Sequence, residues 1–271
     1  MIPTRTDGAV APGVLLREPV GALVDPGEHL WGFGGVHGGL TLALLTAAMG
    51  EQAPGALLQS STARYHRPLH GGFRVEVSPV RSGRTLSSLA GRATTEQGVH
   101  VDASATFGSP GRDSWPVVSP AAPAVPRPED CEVFTIPPEF VAISTSMEIR
   151  AVGPDRPYAG GTEAELTAWI RLVEDSEPPD AHRLILLMDG LAPSYSAVLR
   201  EMLPIPTVEF TVRPGAGLAR AESPWVLLHA RTHQAGADGW IDERIDAWGP
   251  GGDHLGSARQ LRLVTGRPRD V

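Results

Sequence analysis

Residues 40–49, LTLALLTAAM, constrain this chain more than any other segment. They carry no charge, and two threonines are their only polar side chains. On a helix, positions three and four apart share a face, so apolar residues here fall on almost every side. Such a helix cannot lie on a surface and has to be wrapped. The pattern predicts a helix over residues 38–49. Ahead of it, WGFGGVHGG (residues 31–39) holds five glycines in nine residues. Glycine lets backbone come close to whatever the helix start faces.

The material to wrap it is strand-like. FRVEVSPV (73–80) and VHVDASATF (99–107) alternate with period two, and WVLLHA (225–230) reads as a buried strand. Two further helices are expected, over residues 162–174 (with Leu166, Trp169, Ile170 and Val173 at helical spacing) and over residues 191–203. A Pro-rich stretch from 109 to 138 has no period and reads as an extended linker. The expected division is residues 1–112, a linker over 113–138, and residues 139–271.

The two parts look alike. In each, a helix precedes a Thr-containing strand that ends in Arg-Pro, SSTARYHRP (60–68) and IPTVEFTVRP (205–214). Strand candidates and a Gly-turned hairpin follow in both. Setting Gly98 on Gly252 puts Thr106 opposite Gln260. Internal duplication is the economical reading. A central helix wrapped by antiparallel strands, twice over, is an α+β pattern. It describes a double hotdog, two antiparallel sheets each around its own helix.

Composition excludes several classes. The formal net charge of −8 argues against a nucleic-acid partner. The basic residues are all arginine, and the single Cys131 excludes an internal disulfide and a cysteine-based zinc site. No run approaches the roughly 18 apolar residues of a membrane span, so a cytoplasmic protein is expected. A dinucleotide fingerprint begun at Gly32 would need glycine where His37 stands. No Walker loop, nucleophile elbow or His-Glu-x-x-His is found. No metal or organic cofactor is expected.

FGGVHGGLTLALLTAA, STARYHRP, the Arg81–Arg84 turn, VHVDASATF, LLMDGLAPS, PTVEFTV and SARQLRLV occur in that order. In order and spacing the chain resembles the bacterial acyl-CoA thioesterase II group, from about residue 21 to 264. The resemblance implies hydrolysis of an acyl-CoA to a free acid and coenzyme A. It also implies a catalytic set of Asp189, Thr207 and Gln260 in the second half. One departure stands out, since the second Thr strand runs straight into Arg213-Pro214 without the family's aromatic and His.

Thioester hydrolysis needs an activated water and a place for negative charge on the carbonyl oxygen. Asp189 suits a general base, or a nucleophile forming an anhydride. It follows the apolar run LILLM and is expected to open the helix over 191–203, where an Asp is ordinarily a cap. Thr207 and Gln260 can orient water by neutral hydrogen bonds. Gly35, His37, Gly38 and Gly39 resemble the substrate-binding helix start of single hotdog thioesterases, a source of oxyanion donors. No acid follows in that helix, where Thr46 is the only polar candidate near the acid position, so the first half is expected to lack a full site. Arg64, Arg67, Arg81 and Arg84 could meet coenzyme A phosphates or be solvated strand ends. Two rivals stay open. One is a carrier-protein thioesterase or a dehydratase using His37; the other is a non-catalytic thioester-binding protein. Hotdog units commonly associate further, which leaves a homo-oligomer open.

Overall fold

A computed structural model describes residues 9–109 and 115–266. A short helix α1 (Pro12–Leu15) and strand β1 (Leu23–Val24) come first. A small hairpin follows, β2 (Trp31–Gly32) and β3 (Gly35–Val36), and leads into helix α2 (Gly38–Glu51). Strands β4 (Leu57–Tyr65), β5 (Phe73–Arg81), β6 (Leu86–Thr95) and β7 (Gly98–Gly108) complete the first half. The second half has β8 (Glu132–Phe134), β9 (Met147–Val152), β10 (Glu165–Leu172) and helix α3 (Ala181–Met188). It ends with β11 (Thr207–Pro214), β12 (Val226–Ala235), β13 (Trp240–Trp248) and β14 (His254–Leu263).

Helix α2 forms as its sequence demands. His37 caps it, its Nδ1 accepting from the Leu40 amide at 3.3 Å. Every residue from Gly39 to Met49 is buried except the half-buried Ala47. Each fully buried leucine contributes roughly 1.5–3 kcal/mol.

The two sheets expected of a double hotdog are one. Twelve strands form a continuous antiparallel sheet in the order β1-β5-β6-β7-β4-β11-β14-β13-β12-β10-β9-β8. The halves join at β4 and β11, where Thr62 pairs with Thr211 and their hydroxyls lie 2.9 Å apart. Ser61 faces Ala105 across one joint as Phe210 faces Gln260 across the other. Gln260 is buried on β14, whereas Thr106 lies between the buried Ala105 and Phe107 on β7, so the expected match of Thr106 with Gln260 sets residues of opposite strand faces against each other.

Two of the three expected helices are absent. Residues 162–174 hold strand β10, hydrogen-bonded to β9 and β12 on either side. Ala168, Ile170 and Leu172 face the main core, while Trp169 joins Leu227 and Trp248 in a second cluster on the outer face. The Pro-rich segment covers that face: Trp169 Nε1 donates to the Pro126 carbonyl at 2.9 Å, and Trp248 Nε1 to that of Pro120 at 3.1 Å. A strand apolar on both faces mimics helical spacing. Residues 191–203 contain Pro193 and only a 3-10 turn, Ser194–Val198. The helix of this half is α3, capped by Asp180 Oδ1 accepting from the Arg183 amide at 2.8 Å. The expected linker also overruns into structure, because β8 lies inside 113–138 and pairs with β9.

No helix among the described residues is long and apolar enough to cross a membrane.

Candidate active site

The helices α2 and α3 pack together, so the N-terminus of one meets the C-terminus of the other. Asp189 stands at that meeting as the C-cap of α3, not at a helix start as expected. A carboxylate at a helix C-terminus opposes the helix dipole. Here the N-terminus of α2 offsets it. Asp189 Oδ2 accepts from the Gly39 amide at 2.7 Å, and Oδ1 accepts from Gln260 Nε2 at 2.7 Å. Only 11% of the Asp189 side chain is exposed.

Strand register supplies the other partners. Gln260 and Arg262 lie two apart on β14 and face inward together, both buried. Arg262 is directly opposite Thr207, the first residue of β11, next to an irregularity in the β11–β14 register. Gln260 is directly opposite the buried Glu243 on β13. The Arg262 guanidinium therefore sits among three side chains. Nε donates to Glu243 Oε2 at 2.7 Å, Nη1 donates to Thr207 Oγ1 at 2.9 Å, and Nη2 lies 3.9 Å from Asp189 Oδ1. Glu243 Oε1 in turn accepts from the Ser194 amide at 2.5 Å.

The Gln260 orientation follows from chemistry. An ionised Asp189 offers acceptors only, so the amide nitrogen faces it. The Gln260 carbonyl oxygen is then buried with no hydrogen-bond partner among the described residues. Buried acceptors are ordinarily satisfied, so this unpartnered oxygen next to the Asp189 carboxylate marks the group as one to explain by function.

The glycine-rich start is used in three ways. Gly39 has no room for a side chain, since a Cβ there would lie 2.6 Å from Asp189 Cβ. Gly38 presents its carbonyl to the Tyr65 hydroxyl, which donates at 2.8 Å. Its amide has no acceptor among the described residues. Gly35 belongs to the hairpin instead, where a Cβ would lie 2.6 Å from the Leu69 carbonyl oxygen. His37 is buried with both ring nitrogens engaged. Because Nδ1 accepts from Leu40, Nε2 carries the proton, and it faces the Asp189 main-chain oxygen at 3.1 Å. Burial, and then the nearby Asp189 charge, push the Tyr65 phenol well above its ordinary value, against a smaller opposing pull from Arg262.

Residues 28–108 match the model of the acyl-CoA thioesterase N-terminal domain, and residues 125–264 that of the acyl-CoA thioesterase C-terminal domain. The chain belongs to the acyl-CoA thioesterase family. It is a thioester hydrolase by that membership. No curated protein sequence matches it significantly. Among solved structures, a conserved hot dog fold protein of unknown function from Alicyclobacillus acidocaldarius superposes with a TM-score of 0.81 at 24% identity, covering 91% of this chain and 93% of that one. The acyl-CoA thioesterase II TesB2 of Mycobacterium marinum gives 0.73 at 17% identity, over 95% and 99%. The tesB protein of Mycobacterium avium subspecies paratuberculosis gives 0.73 at 17%, over 94% and 98%. These likenesses establish the hot dog fold.

Sequence reasoning missed three members of this thioesterase's cluster, Arg262, Glu243 and Tyr65. Arg262 was within reach, because period two puts it on the face of Gln260. Glu243 required the β13–β14 register, and Tyr65 required the packing of β4 on α2.

The remaining candidates lie elsewhere. Thr46 donates to the Leu42 carbonyl and shares a 2.7 Å contact with Ser61, both buried. Arg64 pairs with Glu209, and Arg67 donates to the Gln97 carbonyl. Arg81 and Arg84 are exposed. Among the described residues no group of three or more His, Cys, Asp and Glu could hold a metal ion.

Proposed function

We propose that this thioesterase hydrolyses acyl-CoA to a free acid and coenzyme A, with Asp189 as general base. The observation that carries the reading is the fixed carboxylate of Asp189 beside the unpartnered Gln260 oxygen, with the Thr207 hydroxyl joined to them through Arg262. A water there donates one hydrogen to Asp189 and one to Gln260 Oε1. It accepts from the Thr207 hydroxyl, which leaves one lone pair for the thioester carbon. As the carbon–oxygen bond forms, Asp189 takes the proton. The carbonyl oxygen becomes an oxyanion, and the Gly38 amide at the α2 N-terminus supplies a donor. Collapse breaks the carbon–sulfur bond, and the proton passes to the departing thiolate.

Both carboxylate oxygens of Asp189 already accept hydrogen bonds. That holds the carboxylate in place to take a proton from water. The engagement of both His37 nitrogens argues against a dehydratase. We read the two halves as hotdog units fused edge to edge, which share one site at the α2–α3 junction. Gly38 and Gly39 come from one unit; Asp189, Thr207 and Gln260 come from the other.

The test is thiol release from a panel of acyl-CoAs and from matched acyl-carrier-protein thioesters. Turnover on the CoA series supports the reading. Turnover on carrier thioesters alone moves the substrate to that class, and release from neither sinks it.

A further inference from the structure

We propose that Arg262 is a positioning residue of this thioesterase, one that makes Thr207 a hydrogen-bond donor toward the attacking water. The inference rests on the hydrolase reading above and adds a residue to it.

A threonine hydroxyl has one hydrogen and two lone pairs, and it rotates to suit its neighbours. Arg262 has donors only, so its 2.9 Å contact makes Thr207 Oγ1 an acceptor on that side. The hydroxyl hydrogen must then point elsewhere. The water site already has two acceptors, Asp189 and Gln260 Oε1, for the two hydrogens of water. A third acceptor would compete for them and turn the reactive lone pair away from the thioester. A donor completes the tetrahedron around the water and leaves one lone pair free. Arg262 takes one of the two lone pairs of Thr207 and so favours the hydroxyl turning its hydrogen toward the water.

Arg262 is held for the task. It is 5% exposed, and its Nε is fixed by Glu243, itself 1% exposed and anchored to the Ser194 amide. The planar fork reaches Glu243 and Thr207 from two nitrogens held in fixed relation, a geometry that the single, freely rotating ammonium of lysine does not reproduce. Single loss of either charge strands the other in the interior. The clean deletion is therefore the pair Arg262→Met with Glu243→Gln, in which the new amide can still accept from Ser194.

The experiment compares kcat and KM for the native chain, Thr207→Val, the Arg262→Met/Glu243→Gln pair, and all three changes combined. Far-UV circular dichroism and melting serve as the control for folding. Thr207→Val and the pair each lower kcat by about 30-fold with KM within about twofold. The combined variant falls little further, because both changes remove the same oriented hydrogen bond. Thr207→Ser keeps the hydroxyl and most of the rate. Should the pair fail to fold, Arg262→Lys retains the buried charge without the fork, and its kcat also drops. Native turnover in a folded pair or in Arg262→Lys overturns the proposal. So does a combined loss equal to the product of the separate losses, which would mean that Arg262 does not act through Thr207. No thiol release by the native chain removes the hydrolase reading and this role with it, whereas an active native chain with unaffected variants removes this role alone.

Discussion

The amide of Gly39, in the first turn of α2, donates to the carboxylate of Asp189, the residue that closes α3, at 2.7 Å across 150 positions of sequence. This contact ties the candidate base in one half to the glycine-rich helix start in the other. It explains why an acid is tolerated at a helix C-terminus, since the facing helix presents the positive end of its dipole.

Gly39→Ala tests the closeness of that approach. The added Cβ would lie 2.6 Å from Asp189 Cβ and 3.2 Å from Oδ2, so the carboxylate has to move. Overpacking of this kind costs about 1–3 kcal/mol. A displacement near 1 Å costs about 100-fold in rate. The expected outcome is a folded protein with a modestly lower melting temperature and a large loss of kcat. Near-native kcat would show that Asp189 need not sit where it does.

The acid side of the stability profile depends on a cluster far from the site. Hydrogen bonds from Arg183 hold the Asp175 carboxyl well below its usual range, with burial opposing and the Glu177 amide and Arg17 assisting. A depressed folded-state value stabilises the protein above the ordinary value near 3.8, and that contribution is lost as pH falls below it. Asp175→Asn is expected to lower stability at pH 7 by about 2 kcal/mol. The variant should also lose less stability between pH 4 and 2 than the native chain. Parallel acid declines in urea titrations of the two would contradict this.

Two indole hydrogen bonds hold the Pro-rich segment against the outer sheet face. Trp248→Phe keeps most of the apolar contact but removes the donor to Pro120, at a cost of about 1 kcal/mol. Limited proteolysis within residues 115–127 should accelerate while thiol release stays near native. Unchanged cleavage would mean that the indole bond does not hold the segment.

Much of this was legible before any coordinates. Helix α2 announced itself because it is apolar all round, and strands 73–80 and 99–107 because one face of each meets solvent. Strand β10 hid because Trp169 is covered by the Pro-rich segment, which erases the alternation. Helix α3 hid because eight residues give barely two turns of pattern. Its apolar run was visible, but the direction was not, and Asp189 was expected at the wrong end of a helix. Asp189, Thr207 and Gln260 were named from resemblance. The structure puts Asp189 against Gln260 directly and joins Thr207 to them through Arg262. The contact between Asp189 and Gly39 could not be read from either half alone.

Asp189→Asn addresses the central claim. An amide at this position can still accept from Gln260 through its oxygen, but its nitrogen then opposes the Gly39 amide and cannot take a proton from water. The measurement is the kcat for thiol release from acyl-CoA by the native and variant proteins, both shown to be folded. Loss of a general base predicts a fall of about 100- to 10,000-fold. Full turnover in the folded variant would contradict the assignment of Asp189 as the base and place the chemistry elsewhere in the molecule.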